Sequence, residues 1–234
     1  ATGGREVRYE LEARSSVAAS TFRTSTGWDV VLEEACVSLG PVYVYSGEAT
    51  AAIVPRLYDW LVPSARAHPG VDHFAGGEAR GEWLSTFAVD ALQPSVGRVG
   101  PLKGPAGIAR TVSLNLTPPQ PSTSGNVTCL RGHQAYVVGV ARREGMTVAF
   151  EGGLDVESAG NRRRIQVPVN LEVDDGIRLR LVIDPRPWLD EARFDELPAA
   201  TEGSRSMIAA DSQVRAAWFL GVQRSGAFAV ETEP

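Results

Sequence analysis

The sequence predicts an all-β fold, a mainly antiparallel β-sandwich with one or two short helices. Three observations carry that reading. Apolar and polar residues alternate with a period of two in several runs. Gly and Pro turn signals separate those runs at short intervals. Alternating strand–helix units, the mark of a parallel α/β sheet, are absent. All-β units of roughly 200–250 residues are routine. The 234 residues are therefore read as one β-rich domain, with a sub-division near residues 94–107 as the alternative.

Val7, Tyr9, Leu11 and Ala13 alternate with Arg8, Glu10 and Glu12, which predicts a half-exposed first strand. Gly27 introduces Trp28 to Leu32, and Ala35 to Tyr45 is a second extended run, broken at Gly40-Pro41. Ile53, Leu57, Trp60 and Leu61 fit one short helical face. His68 to His73 reads as loop, and Gly76-Gly77 as a joint. Trp83 to Leu92 reads as strand, and the Gly- and Pro-rich stretch from Pro94 to Gly107 as loop. Val112, Leu114 and Leu116 alternate with Thr111, Ser113, Asn115 and Thr117, a strand with one polar face.

Pro118 to Gly125 is a polar excursion. Tyr136–Ala141 and Met146–Phe150 predict a hairpin around Glu144-Gly145. Ile165–Val173 and Ile177–Ile183 predict another, turning at Asp174-Asp175-Gly176. Ile208 to Leu220 is the best helix candidate, with four alanines and Gly221 at its end. Phe228 to Val230 returns as a last strand.

A net charge of −5 argues against a nucleic-acid binder, which needs a concentrated basic surface. The basic run Arg162-Arg163-Arg164 is short enough to be a solvated turn. One lysine against twenty-two arginines is in keeping with GC-rich bacterial coding. No apolar run approaches the ~20 residues that span a bilayer, so no transmembrane segment is expected.

The chain has two cysteines, Cys36 and Cys129, in no metal-ligand spacing. In an exported protein a distant pair is most simply a disulfide, with two free buried thiols as the alternative. The chain starts at Ala1 without Met, which suits a processed start; a lipid anchor on a removed N-terminus is compatible with it. The expected setting is bacterial: periplasmic, outer-membrane-anchored or secreted.

The histidines are the candidate site. His68 and His73 lie in one short loop with Asp72 between them, and Pro69-Gly70 can bend that loop so that both imidazoles meet. Imidazole and carboxylate donors suit copper or zinc. His133, at the start of a strand, is a further ligand if the fold brings it near. Neutral imidazoles bind metal, so binding should weaken as pH falls through about 6–7. The bland alternative is a polar loop that binds nothing.

Asp174-Asp175-Gly176 reads as turn chemistry rather than a Ca²⁺ loop. No G-x-S-x-G elbow marks a nucleophile and no phosphate loop is present, so neither a catalytic residue nor a nucleotide cofactor is predicted. Trp28, Trp60, Trp83, Trp188 and Trp218 read as core anchors, with an aromatic binding platform as the sharper alternative.

Val138 to Ala141, Phe150 and then Leu181-Val182-Ile183-Asp184-Pro185-Arg186-Pro187-Trp188-Leu189-Asp190 carry a resemblance. A strand ending in this way is similar to one in the MbnP-like family, periplasmic copper-binding proteins found beside di-haem partners. The resemblance covers residues 133–197. It implies an extracytoplasmic β-sandwich, a lipoprotein in some settings, with metal binding. The family's extra cysteines are missing here, and no ligand residue is carried across.

The expected function is thus a non-enzymatic exported β-sandwich that binds copper or zinc through loop histidines. The rival is a cell-surface module that holds a protein or glycan partner through an aromatic face or the 48–77 stretch.

Overall fold

A computed structural model describes residues 4–16, 20–48, 77–94, 96–156, 164–198 and 203–233. They form strands β1 (Glu6–Ser15), β2 (Thr21–Arg23), β3 (Asp29–Tyr45), β4 (Ala79–Trp83), β5 (Phe87–Asp90), β6 (Gly97–Pro105) and β7 (Gly107–Leu116). Then follow β8 (Ser124–Gly125), β9 (Ala135–Arg143), β10 (Met146–Leu154), β11 (Arg164–Val173), β12 (Arg178–Ile183) and β13 (Ser206–Met207), helix α1 (Gln213–Gly221) and β14 (Phe228–Glu233). One sheet has the order β14-β12-β1-β6. The other runs β11-β7-β3-β9-β10-β13, with β2, β4 and β5 also on β3 and β8 on β5. The expected all-β sandwich is what forms.

Alternation places β1. Val7, Tyr9, Leu11, Ala13 and Ser15 point into the core, while Glu10, Glu12 and Arg14 point out. The outward residues meet opposite charges from the same sheet: Glu10 with Arg98 of β6, Glu12 with Arg180 of β12, and Arg14, past β12, with Glu231 of β14. Across the core, the Tyr9 hydroxyl donates to the Arg80 carbonyl of β4 at 3.2 Å. Burial pushes its phenol up from the ordinary range.

β3 is the spine of the larger sheet. Residues 29–37 pair with β9, and residues 39–45 with β7. The switch falls at the cis Gly40-Pro41 bond, where the register shifts. The expected break is therefore a bulge inside one long strand. Trp28, Trp188 and Trp218 are fully buried, as expected for core anchors. The Arg143 guanidinium lies 4.4 Å above the Trp28 ring, and Phe194 meets that ring edge-on. Trp60 lies outside the described residues.

Several expectations need correction. Residues 97–105 are not loop but β6, antiparallel to β1 from Glu6 to Ala13. Its glycines serve close packing: a Cβ on Gly104 would fall 2.1 Å from the Arg80 carbonyl oxygen, and one on Gly100 2.3 Å from the Trp83 ring. Ile165–Val173 and Ile177–Ile183 are not a hairpin, because β11 pairs with β7 in one sheet and β12 with β1 and β14 in the other. The turn between them forms, yet it carries the chain across the sandwich. Its Asp175 accepts from the Arg8 backbone N–H at 3.0 Å, so the acidic pair is turn chemistry.

β12 also lies parallel to β1, so the smaller sheet is mixed. The 83–92 run is split, with β4 ending at Trp83 and β5 starting at Phe87. Thr111 and Ser113 are buried, so the polar face of β7 is not a solvent face. The helix begins at Gln213, later than Ile208, because Ser212 caps it: its Oγ accepts from Arg215 N at 3.1 Å. Gly221 does not stop the helix by a left-handed turn. It lets α1 close on the Arg186–Leu189 turn, where a Cβ would sit 2.3 Å from the Pro187 carbonyl oxygen. Among the described residues, no helix is long and apolar enough to cross a membrane.

Candidate functional site

His68, Asp72 and His73 lie outside the described residues. His133 is described, and it stands in a polar cluster at one end of β9 and β10. A short 3-10 turn, Thr128–Leu130, leads into it. Arg131 and Gly132 both take positive φ, 50° and 89°, and His133 N donates to Leu130 O at 2.9 Å. That is the pattern of a type I′ turn, and Gly132 suits its second position.

The disulfide between Cys36 of β3 and Cys129 ties this turn to the sheet. Leu130 and Ala88 pack beside Cys36 in a small satellite cluster. The expected disulfide is present, and the alternative of two free thiols is removed.

The imidazole of His133 is fixed from two sides. Its Nδ1 lies 2.7 Å from Asp155 Oδ2, and its ring stacks on Tyr136 with centroids 5.8 Å apart. The ring also lies on the backbone of Gly153, where a Cβ would fall 2.2 Å from its Cγ. Nδ1 donates when it carries the proton, because the ionised carboxylate can only accept. Nε2 then presents its lone pair.

Asp155 is held just as closely. Its Oδ1 accepts from Gln134 N at 3.2 Å. The buried Gln134 amide clasps the next residue, accepting from Val156 N at 2.7 Å and donating to Val156 O at 3.2 Å. From α1, Arg215 donates to the carbonyls of Gly153 and Asp155 at 2.8 and 3.0 Å.

Arg131 completes the cluster. Its guanidinium sits 4.4 Å over the Tyr136 ring and makes two bonds to Glu34, at 3.0 and 2.9 Å. It also donates to Glu151 at 3.1 Å and to the Tyr136 hydroxyl at 3.0 Å. Burial, and then the Glu151 carboxylate, push the Tyr136 phenol up from its ordinary range. Glu34 and Glu151 are thus committed to a cation.

The chemistry on offer is one oriented imidazole. Carboxylate-backed histidines are how metal ligands are commonly held, since the second nitrogen fixes the tautomer. Among the described residues, no group of three or more His, Cys, Asp or Glu side chains comes together to hold a metal ion. His133 fits a metal as a single donor with its support in place. Of this cluster the sequence singles out His133 alone: Arg131 and Tyr136 lie close by but in no ligand spacing, and Asp155 and Arg215 lie far along the chain.

No family model matches the chain, and no curated protein matches it. Among solved structures, it is similar to MbnP from Methylosinus trichosporium, at 11% identity over 99% of both chains and a TM-score of 0.44. No role or ligand is transferred from so distant a likeness.

Proposed function

We propose that this chain is a non-enzymatic, exported β-sandwich protein that binds copper or zinc through histidine. The observation that carries the reading is the His133–Asp155 pair, 2.7 Å apart at Nδ1. It leaves Nε2 as a preorganised donor on a side chain that is 38% exposed. His68 and His73, with Asp72, are the proposed partners in the donor set. The Cys36–Cys129 disulfide supports an oxidising compartment, where such bonds persist.

The test is calorimetric titration of untagged protein with Cu²⁺ and with Zn²⁺, on wild type, His133→Ala, Asp155→Asn and a His68→Ala/His73→Ala double variant. Wild type should bind near one equivalent. The histidine variants should lose it, and Asp155→Asn should weaken it by roughly 10–100-fold. No binding by wild type, or full binding by every variant, would remove the reading.

A further inference from the structure

We infer that β14 is a docking edge for a second copy of this chain, pairing antiparallel with the copy's β14 about a two-fold axis at Val230. Four strands end the two sheets: β14 and β6 in the smaller, β11 and β13 in the larger. Three of them are poorly built to take a partner strand. β6 carries Pro101, Lys103 and Pro105, β11 carries Pro168 at a register shift, and β13 has only two residues. β14 runs Phe228–Glu233 with no proline, lysine or bulge.

The free main-chain groups of β14 follow from its neighbours. Ile177 and Ile183 turn their carbonyls to β1, accepting from Glu10 N at 3.0 Å and Ser16 N at 2.8 Å. Asp184 faces the other way, donating to Ala227 O at 2.9 Å. Bonding direction alternates along a strand, so Arg178, Arg180 and Val182 bond to their opposites on β14, which are Glu233, Glu231 and Ala229. The N–H and C=O groups of Phe228, Val230 and Thr232 therefore point away from β12. Among the described residues, no strand pairs with that side of β14.

One register matches all of those groups to a copy of themselves. With Val230 opposite the partner's Val230, Phe228 falls opposite the partner's Thr232, and Thr232 opposite the partner's Phe228. Each such pair exchanges two bonds, which gives roughly six across the edge. The side chains agree with the same register. Phe228 is buried, Val230 half-buried and Thr232 exposed, so Val230 meets Val230 on the core side of the joined sheet. On the outer side Glu231 falls opposite the partner's Ala229, a methyl group rather than a like charge.

Charge favours a copy over a strand of one sign. Beside the edge, Glu231 pairs with Arg14, and Glu233 with Arg180 and Arg178. Arg180 also holds Glu12. Three guanidiniums thus balance three carboxylates, and neither an acidic nor a basic segment gains from this surface. The copy brings the same balanced set. The two Glu231 carboxylates come only diagonally near, and each keeps its own Arg14 at 3.0 Å.

The test is sedimentation equilibrium of the metal-stripped full chain over a wide concentration range, with amide hydrogen exchange at both ends of it. The mass should rise from 25.0 kDa toward twice that value, with a dissociation constant of about 100 µM, as suits a narrow interface. The amides of Val230 and Thr232 should gain protection with concentration. Those of Ala229 and Glu231, already bonded to β12, should be protected throughout. Val230→Pro removes one outward donor and no bond to β12, and should abolish the dimer. Ala229→Glu, at an exposed position, sets carboxylates opposite each other at both symmetric places and should weaken it about three- to tenfold. This second variant decides the matter should Val230→Pro fail to fold. A chain that stays monomeric at several times that dissociation constant would overturn the proposal. So would a dimer that Ala229→Glu leaves unchanged, or protection gained only away from β14. Metal is absent throughout, so this inference and the metal reading can fail separately.

Discussion

Gly153 is the seat of His133. The imidazole lies over the glycine backbone so closely that a Cβ would come within 2.2 Å of its Cγ, 2.3 Å of its Cδ2 and 2.5 Å of its Nδ1. The missing methyl group therefore sets where the ring can rest, and Asp155, two residues on, sets which way it faces. The preceding Gly152 does the same for Ile208, because a Cβ there would fall 2.7 Å from the Ile208 Cβ.

Gly153→Ala should thus displace the His133 ring from Asp155. The expected cost is about 1–3 kcal/mol in urea denaturation, the usual range for forcing an extra methyl into a packed site. Metal titration should show the same loss as His133→Ala. An alanine variant with wild-type stability and an intact His133–Asp155 bond would contradict the seating.

The same reasoning separates two glycines on β6. A Cβ on Gly104 would strike backbone, 2.1 Å from the Arg80 oxygen, and backbone cannot swing aside. A Cβ on Gly97 would only reach Ala13 O at 3.7 Å, an ordinary contact. Gly104→Ala should cost about 2–3 kcal/mol or more. Gly97→Ala should be near neutral, because alanine also restricts the unfolded chain. Equal effects would show that β6 does not pack tightly on β4.

These glycines also mark what the sequence concealed. Local alternation exposed β1 and the β9–β10 hairpin, because one buried face and an X-Gly turn leave a short-range pattern. The sequence of β6 reads as loop because glycine and proline usually interrupt strands. Here the glycines make room for Trp83 and Arg80, a reason that exists only across the sandwich. The Asp174–Gly176 turn was legible, but its sheet partners were not, since either outcome needs the same turn residues. At the site, His133 stood out as one of three histidines. Asp155 and Arg215 were invisible because they come from 22 and 82 residues away, through a strand end and a helix that only the fold brings together.

The disulfide should matter for stability as a whole. It closes a sequence separation of 93 residues, for which chain entropy gives about 4–5 kcal/mol. Cys36→Ala/Cys129→Ala should fall by about 2–5 kcal/mol in denaturant, and reduced wild type should match it. Reduced wild type as stable as the oxidised form would show that the bond adds nothing.

The outer face of the smaller sheet sets an acid dependence. Arg180 Nη2 donates to Glu233 at 2.6 Å and to Glu12 at 3.0 Å. The bond from Arg180, then its charge, holds the Glu233 carboxyl below the ordinary carboxylate range. A carboxyl depressed in the folded state favours folding above its unfolded value, and that contribution fades as pH falls through the folded value. Glu233 is well solvated, so the effect is screened by salt. Carboxyl-carbon NMR should show Glu233 titrating low in wild type and moving up in Arg180→Gln. An unchanged titration in the variant would remove Arg180 as the cause.

Arg215 links the helix to the imidazole without touching it. Its two nitrogens reach the carbonyls on either side of residue 154, those of Gly153 and Asp155, and so fix the segment that both seats and orients His133. Its own backbone is fixed in turn by the Ser212 cap. Arg215→Ala should cost about 1–2 kcal/mol, since two hydrogen bonds from a charged donor are lost at a partly exposed position. Arg215→Lys should recover only part of that, because an ammonium cannot span two carbonyls as a planar fork does. Amide hydrogen exchange gives the local readout. Val156, whose N–H is held by Gln134 at 2.7 Å, should exchange faster in Arg215→Ala, while amides in the centre of β3 keep their protection. Uniformly faster exchange would mean that Arg215 supports the whole fold. Selective loss at Val156 with weakened metal binding would identify it as a positioning residue for His133.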